Sequence, residues 1–479
     1  MTISAVIGLI AVLIFLIYFS YKGAPIVIIA PIGAIILILF ASGLDAKVMA
    51  AYTEVYMKGF GNFAKNFFPL FVTGALFAKM MDSVGYTKSI ARFVARRLGK
   101  GKAIMSVVLA GAILTYGGVS LFVVAFVVYP IAISLFREAD IPKRLIPGTI
   151  ALGAFTFTMT ALPGTPQVQN TIPMSVFGTD SFAAPGLGII ASILLFGLGY
   201  LWLSARAKKA KALGEGYGEH QDEASAVDMA DSTDVPPVCL AVLPIVLMFG
   251  LNLFLSKVYY PRVNGGYLEE YGTSLPAVAG NWSVIIAIVI SIVVILLMNI
   301  KKLKGMGINT VLKDGVTTTF GPIVNACAIV GFGTVITSLP LYTGLQQLLV
   351  GSSQNPLISE ALSVNILCGI TGSASGGLGA AISGFADNYM QMAASAGISP
   401  EVLHRIASLA SGGLDTLPFN GAVLTTLALC GMTHKQSYKD MCVVSVIIPM
   451  CVTVIMVILA SLGLQLIVSN DVWKNESNK

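Results

Sequence analysis

The sequence predicts an all-α polytopic membrane protein built from two inverted repeats, and three observations carry that reading. Hydrophobic residues make up 56% of the chain of 479 and charged residues 11%, where soluble domains carry about 25% charged residues. Basic residues fall in short clusters between long uncharged runs, so the net charge of +6 reports membrane orientation, not nucleic-acid binding. Each half also contains two apolar runs interrupted by glycine or proline at matching places. Broken backbone inside a bilayer is tolerated only where protein buries it or a cavity borders it.

Taken in order, Thr2 to Tyr18 and Ala24 to Ala41 read as spans 1 and 2. Met1 to Ser20 lacks a basic n-region and an A-x-A site, so it reads as a span and not a signal peptide. Asp45 to Lys65 reads as an interfacial helix and Phe67 to Met81 as span 3. Lys88, Arg92, Arg96, Arg97, Lys100 and Lys102 then form the most basic segment, which belongs in the cytoplasm. Counting back places the amino terminus outside.

Ala103 to Phe136 holds no charge. As one helix it would run about 51 Å, against a hydrocarbon core of about 30 Å. Thr115-Tyr116-Gly117-Gly118-Val119-Ser120 interrupts it, and adjacent glycines cost a helix about 2 kcal/mol relative to alanine. The run therefore reads as a re-entrant hairpin entering from the cytoplasm. After a charged join (Arg137 to Arg144), Leu145 to Thr179 reads as a helix broken at Leu162-Pro163-Gly164-Thr165-Pro166-Gln167. Pro166 has no amide hydrogen and disfavours helix at Thr165. Span 6 (Gly186 to Leu203) returns to Arg206, Lys208, Lys209 and Lys211. Ala205 to Pro236, basic and then acidic, reads as a solvated cytoplasmic tether. It divides the chain into a first membrane repeat, 1–204, a linker, 205–236, and a second repeat, 237–479.

The second repeat follows the same plan. Spans 7, 8 and 9 read at Val238 to Leu255, Trp282 to Ile300 and Phe320 to Ser338. Ala361 to Ala386 reads as a second hairpin with its tip at Thr371-Gly372-Ser373-Ala374-Ser375-Gly376-Gly377, entering from outside. A turn at Gly397 to Pro400 leads to a helix broken at Asp415-Thr416-Leu417-Pro418-Phe419-Asn420-Gly421, and Cys442 to Leu466 reads as the final span. Asp140-Ile141-Pro142 matches Gly397-Ile398-Ser399-Pro400, and Thr160-Ala161-Leu162-Pro163 matches Asp415-Thr416-Leu417-Pro418. Discontinuous helices at matching places in inverted halves point to a transporter's midplane site. Both termini then lie outside.

Helix breaks leave amide N–H groups unpaired at positive dipole ends, which suits a carboxylate. Gly117, Gly118, Gly164, Gly376 and Gly377 let a substrate approach the backbone. Tyr116, Ser120, Thr160, Thr165, Gln167, Thr371, Ser373, Ser375, Thr416 and Asn420 offer hydroxyls or amides beside Pro163 and the other break residues. Small residues also serve helix packing, and elsewhere in the spans that is the better reading. Asp415 is the leading proton carrier, since an embedded carboxylate is a functional hypothesis by default; a helix cap or a pair with Arg405 is the competing role. Asp387 is the second carrier candidate. His404 and His434 read as interfacial, and Arg137 and Arg144 as markers of the cytoplasmic face. The six cysteines stand singly without CxxC, so no disulfide, metal or cofactor is expected. HExxH and GxSxG are absent, which argues against a membrane enzyme; a channel gives no reason for two opposed hairpins.

Gly117 to Phe122, Leu135 to Arg144 and Ala161 to Gln167 resemble the gluconate permease (GntP) family of bacterial inner-membrane carriers, within the ion transporter superfamily. The resemblance implies an elevator-type proton symporter, a homodimer, for small hydroxylated carboxylates. Gluconate carriers of the family have a histidine-containing proline-glycine motif at the first break. Here it reads Pro163-Gly164-Thr165-Pro166, and the chain looks more like the branch associated with 3-hydroxybutyrate. Superfamily relatives for dicarboxylates use sodium, so Na+ stays open as the coupling ion, with Asn420 and the carbonyls around Thr416 as its ligands.

Overall fold

The computed structural model describes residues 3–22, 24–43, 47–98, 100–119, 121–218, 235–339, 355–418 and 420–463, and every regular element among them is helical. Helices α1 (Ile3–Tyr21) and α2 (Ile26–Ser42) pack together. Helix α3 then runs unbroken from Val48 to Ser83. The expected interfacial helix and span 3 are therefore one element. The mixed composition is amphipathicity: Phe63, Phe67, Leu70 and Phe77 form a buried stripe, with Lys58 and Lys65 exposed. A π turn at Ala51–Tyr56 starts the helix, with Tyr52 and Tyr56 stacked. The basic helix α4 (Tyr86–Leu98) leaves α3 at 66° and ends on Arg96 and Arg97, where cations suit the helix dipole.

The first hairpin is α5 (Ala103–Tyr116) and α6 (Leu121–Glu138), two helices packed on each other. Its first arm has 14 residues, about 21 Å, too short to cross alone. Helix α7 (Ile146–Ala154) ends earlier than the sequence predicts, at a kink where Thr156 leaves helical geometry (φ −114°, ψ −113°). The expected break follows, and α8 (Val168–Phe177) opens directly after Gln167. Helix α9 (Pro185–Ala212) outlasts span 6. In the second half come α10 (Val238–Phe254), α11 (Leu275–Met298) and α12 (Ile308–Ser338). The second hairpin is α13 (Pro356–Thr371) with α14 (Ala374–Ser395). Helices α15 (Pro400–Ser411) and α16 (Gly421–Leu429) flank the second break. The last helix, α17 (His434–Ser461), starts before the expected Cys442, so the basic patch lies in its first turns.

Among the described residues, α9, α10 with its helical continuation to Arg262, α11, α12 and α17 are long and apolar enough to cross a membrane, and the bent α3–α4 pair makes a sixth such element. Ile193, Leu201, Leu297 and Val454 are more than half exposed, as lipid-facing positions would be. Helix α12 lies along α3, α2 and α14. The pieces that follow the breaks are exchanged: α8 packs on α14 of the second hairpin, and α16 on α6 of the first. That interleaving brings both breaks to one place.

The start of the linker is not a free tether. Helix α9 carries it to Ala212, Tyr217 N–H donates to Asp140 Oδ1 at 2.8 Å, and Glu215 accepts from Arg144 Nε and Nη2 at 2.6 and 2.8 Å. Residues 219–234 lie outside the described segments. The Arg144 hydrogen bond holds the Glu215 carboxyl below the usual carboxylate range. A lowered folded value stabilises the protein above the unfolded one, and the gain is lost as pH falls through the folded one. Glu215→Gln should therefore lower stability at neutral pH by at most about 1 kcal/mol, since the pair is partly exposed. The difference from wild type should vanish on acidification, as thermal unfolding against pH will read.

Candidate transport site

At the first tip, Gly117 closes α5 and Gly118 adopts φ +80°, a left-handed conformation that glycine takes without a Cβ penalty. The tip is tied to the first break by two side chains. Gln167 Nε2 donates to Thr115 O (2.6 Å) and Val119 O (3.4 Å), and Tyr116 Oη donates to Pro163 O (2.9 Å). The break itself is held open from behind. Gly164 N–H donates to Ser181 O at 2.8 Å, and Asn170 Nδ2 donates to Thr165 O and Ser181 O, both at 2.9 Å.

The second tip and break are joined in the same manner. Asn420 Nδ2 donates to Gly372 O (2.7 Å) and Asp415 O (2.8 Å). Its Oδ1 accepts from the N–H groups of Ala422 and Val423, capping α16. Ser373 caps α14 by accepting from Gly376 N–H. Thr416 donates to Ser445, its carbonyl accepts from Tyr438 Oη at 3.0 Å, and His434 Nε2 lies 2.8 Å from Pro418 O. Asp415 is 4% exposed, and its Oδ1 has no hydrogen-bond partner.

One cavity of about 950 Å³ touches both tips and both breaks. Gly118, Gln167, Ser373, Ser375, Asp415, Thr416 and Asn420 are on its wall, so seven of the expected site residues meet there. The wall continues onto α3 and α12 through Phe77, Lys79, Asp82, Thr319 and Asn325. Lys79 is the one cation among the described lining residues, and it pairs with Asp314 at 3.2 Å.

The remaining candidates are placed otherwise. Gly117 backs onto Ile245, Gly164 onto Phe182 and Phe249, and Gly377 onto the backbone at Cys368, so these glycines serve close packing. Gly376 faces Ser373 and Ile329. Thr160 bonds back to Thr156 O at 3.2 Å, and the buried Thr165 hydroxyl accepts from Gln167 N–H at 3.5 Å. Tyr116 and Pro163 bind each other. Asp387 is exposed on α14, off the cavity wall. Ser120 lies outside the described residues, and Thr371 is described only by its place at the end of α13.

His404, read as interfacial, is internal, and so is its neighbour Arg405. His404 and Arg405 are both fully buried. His404 Nδ1 lies 2.6 Å from Thr179 Oγ1 and its Nε2 3.3 Å from Asn170 Oδ1. Arg405 donates to Asn170 Oδ1 (2.9 Å) and, through Nε and Nη2, to Ala183 O (3.1 and 2.7 Å). Arg405 is thus committed to the first break, not to Asp415. Arg144 does more than mark a face: it donates to the buried Asp440 at 2.9 Å, which also accepts from Arg206 (2.7 Å) and Trp202 (3.1 Å). A histidine and an arginine side by side within α15 were the visible signal for the first cluster; nothing local marked Asp440.

A family model for GntP family permeases matches residues 1–463. The chain is 41% identical over 463 residues to an uncharacterized transporter, YxjC, of Bacillus subtilis (strain 168), covering 94% of this chain and 97% of that one. Its fold is similar to the crystal structure of the YdaH transporter of Alcanivorax borkumensis, with a TM-score of 0.58 at 17% identity, over 88% of this chain and 90% of that one. On the match along nearly its whole length, the chain belongs to the GntP permease family of multi-pass membrane transporters.

Proposed function

We propose that the protein is a secondary active, elevator-type carrier that moves a small hydroxylated monocarboxylate, 3-hydroxybutyrate or a gluconate-like acid, together with a proton across the inner membrane. The observation that carries the reading is the single cavity bounded by two hairpin tips and two helix breaks. Its two ends differ in chemistry. At the first break, Val168 and Gln169 belong to the cavity wall, and their N–H groups precede the first backbone donor of α8, Asn170. They suit a carboxylate. At the second break, Asn420 already caps the corresponding amides, and Asp415 keeps one carboxyl oxygen without a partner. Substrate anion at one end and proton at the other is the division a symporter needs.

With Lys79 as the one lining cation, a single negative charge fits better than a tricarboxylate. Proton coupling is preferred over sodium because the oxygens considered for sodium serve the fold: Asn420 Oδ1 caps α16, and the Asp415 and Thr416 carbonyls accept from Asn420 and Tyr438. Two inverted repeats, 1–204 and 237–479, are supported by the reciprocal packing of α8 on α14 and α16 on α6. Elevator movement is supported by a cavity walled by α3 and α12 on one side and by tips and breaks on the other. Both termini outside and a cytoplasmic linker follow from the basic clusters.

Uptake into proteoliposomes tests this, with labelled gluconate, 3-hydroxybutyrate, lactate, succinate and citrate under imposed pH or sodium gradients. Accumulation of a hydroxylated monocarboxylate driven by the pH gradient is expected. Robust citrate or succinate uptake that follows sodium and ignores monocarboxylates would overturn it.

A further inference from the structure

Glu360 lies in the second turn of α13, the first arm of the second hairpin. Its side chain is 0% exposed, neither carboxyl oxygen has a hydrogen-bond partner, and it enters no ion pair among the described residues. Asn355, the cap of α13, bonds to Ser461 Oγ at 2.6 Å at an exposed position. Glu360 sits about 8 Å further along the helix and about 16 Å short of the tip. It is enclosed between the surface and the cavity, and it is absent from the cavity wall.

Helix α13 packs on α14, α15, α17, α1 and the Leu414–Thr416 turn. On α14, Asp387 is exposed, and buried Tyr389 has its ring against Phe385. On α15, Glu401 accepts from Ala184 N–H, while His404 and Arg405 are directed at Thr179, Asn170 and Ala183. Asp415 faces the cavity. The charged residues of α17 (Lys435, Lys439, Asp440) and His434 lie at its start, whereas Ser461 beside Asn355 is at its end. Tyr18 of α1 and Cys451 of α17 are exposed, and Cys368 of α13 itself donates to Ala374 O. None of these gives Glu360 a counter-ion. A lone ionised carboxylate in such surroundings is strongly disfavoured, and an apolar side chain would fill the place at less cost.

We propose that Glu360 is a second proton-binding site of the carrier, sealed as the neutral acid in this conformation and hydrated when the second hairpin arm moves. The step is a proton transfer alone: the carboxyl O–H passes its proton to entering water, and the carboxylate stays on the chain. Its use in transport rests on the proton-symport reading above; its protonation does not. The two are separated by two measurements on the full-length protein. Infrared difference spectra of purified wild type should contain a protonated-carboxyl carbonyl band at neutral pH that Glu360→Gln lacks and Glu360→Asp shifts, and that bleaches reversibly as the pH is raised. In proteoliposomes, Glu360→Gln should carry 3-hydroxybutyrate with one proton fewer per turnover. Identical spectra for wild type and Glu360→Gln, or a band unchanged at every pH, overturn the proposal, as does an unchanged proton-to-substrate ratio. Where Glu360→Gln does not fold, the Glu360→Asp band shift decides. Wild-type uptake without proton movement would defeat the symport reading alone, and the infrared band would still decide whether Glu360 binds a proton.

Discussion

Asp415→Asn is expected to retain exchange of labelled for unlabelled substrate while losing the share of pH-driven accumulation that its own proton sustains. The substitution is nearly isosteric, and Asn420 holds the second break through the backbone carbonyls of Asp415 and Gly372. The break should therefore keep its form. What changes is the capacity to take and release a proton at a group that lines the cavity and has an unpartnered oxygen. Each coupled proton sustains about a tenfold accumulation ratio per pH unit. The mutant ratio should fall by that factor, with counterflow within a few-fold of wild type. Counterflow and pH-driven uptake measured on one proteoliposome preparation separate the two properties. Wild-type accumulation by the mutant would make Asp415 a structural residue of the break and move the proton path elsewhere.

The features legible in the sequence are those whose cause is local. Gly118, Pro166 and Gly372 interrupt their helices through backbone conformation or a missing donor, so both tips and both breaks fall where the residues put them. The continuity of α3 was hidden because an amphipathic helix beside apolar spans has the composition of an interfacial one, until α12 is seen covering its aromatic stripe. Polar pairs that join distant segments leave no local trace. Arg405 invites pairing with Asp415 by nearness in sequence, yet its guanidinium reaches Asn170, 235 residues away. Gln167 and Asn420 were legible as polar break residues, but their clasp on the tips depends on where the hairpins fold back. Glu360 stood in plain view as an acid beside an apolar arm; the uncharged run read from Ala361 begins one position after it.

Asp440→Ala is expected to produce a large loss of stability, about 3 kcal/mol on the scale of a broken buried ion pair. The Asp440 side chain is 1% exposed, and its two oxygens serve Arg144 of the first join, Arg206 and Trp202 of α9. Removing the carboxylate strands Arg206, whose side chain is 23% exposed, beside a second cation that is 20% exposed. Arg144 keeps Glu215, so the loss should stay at the lower end of the range for a fully buried pair. The same position closes a mechanical link: it fastens the join before α7, the end of α9 and the first turns of α17, whose Ser445 and Tyr438 hold Thr416 at the second break. Loosening it should therefore reduce transport as well as raise the unfolding rate. Asp440→Asn, which can still accept hydrogen bonds but carries no charge, should show the same changes at smaller size. Thermal unfolding in detergent, read beside counterflow for both variants, checks the order wild type, Asn, Ala; an alanine variant as stable as wild type would mean that the two arginines find water or Glu215 at no cost.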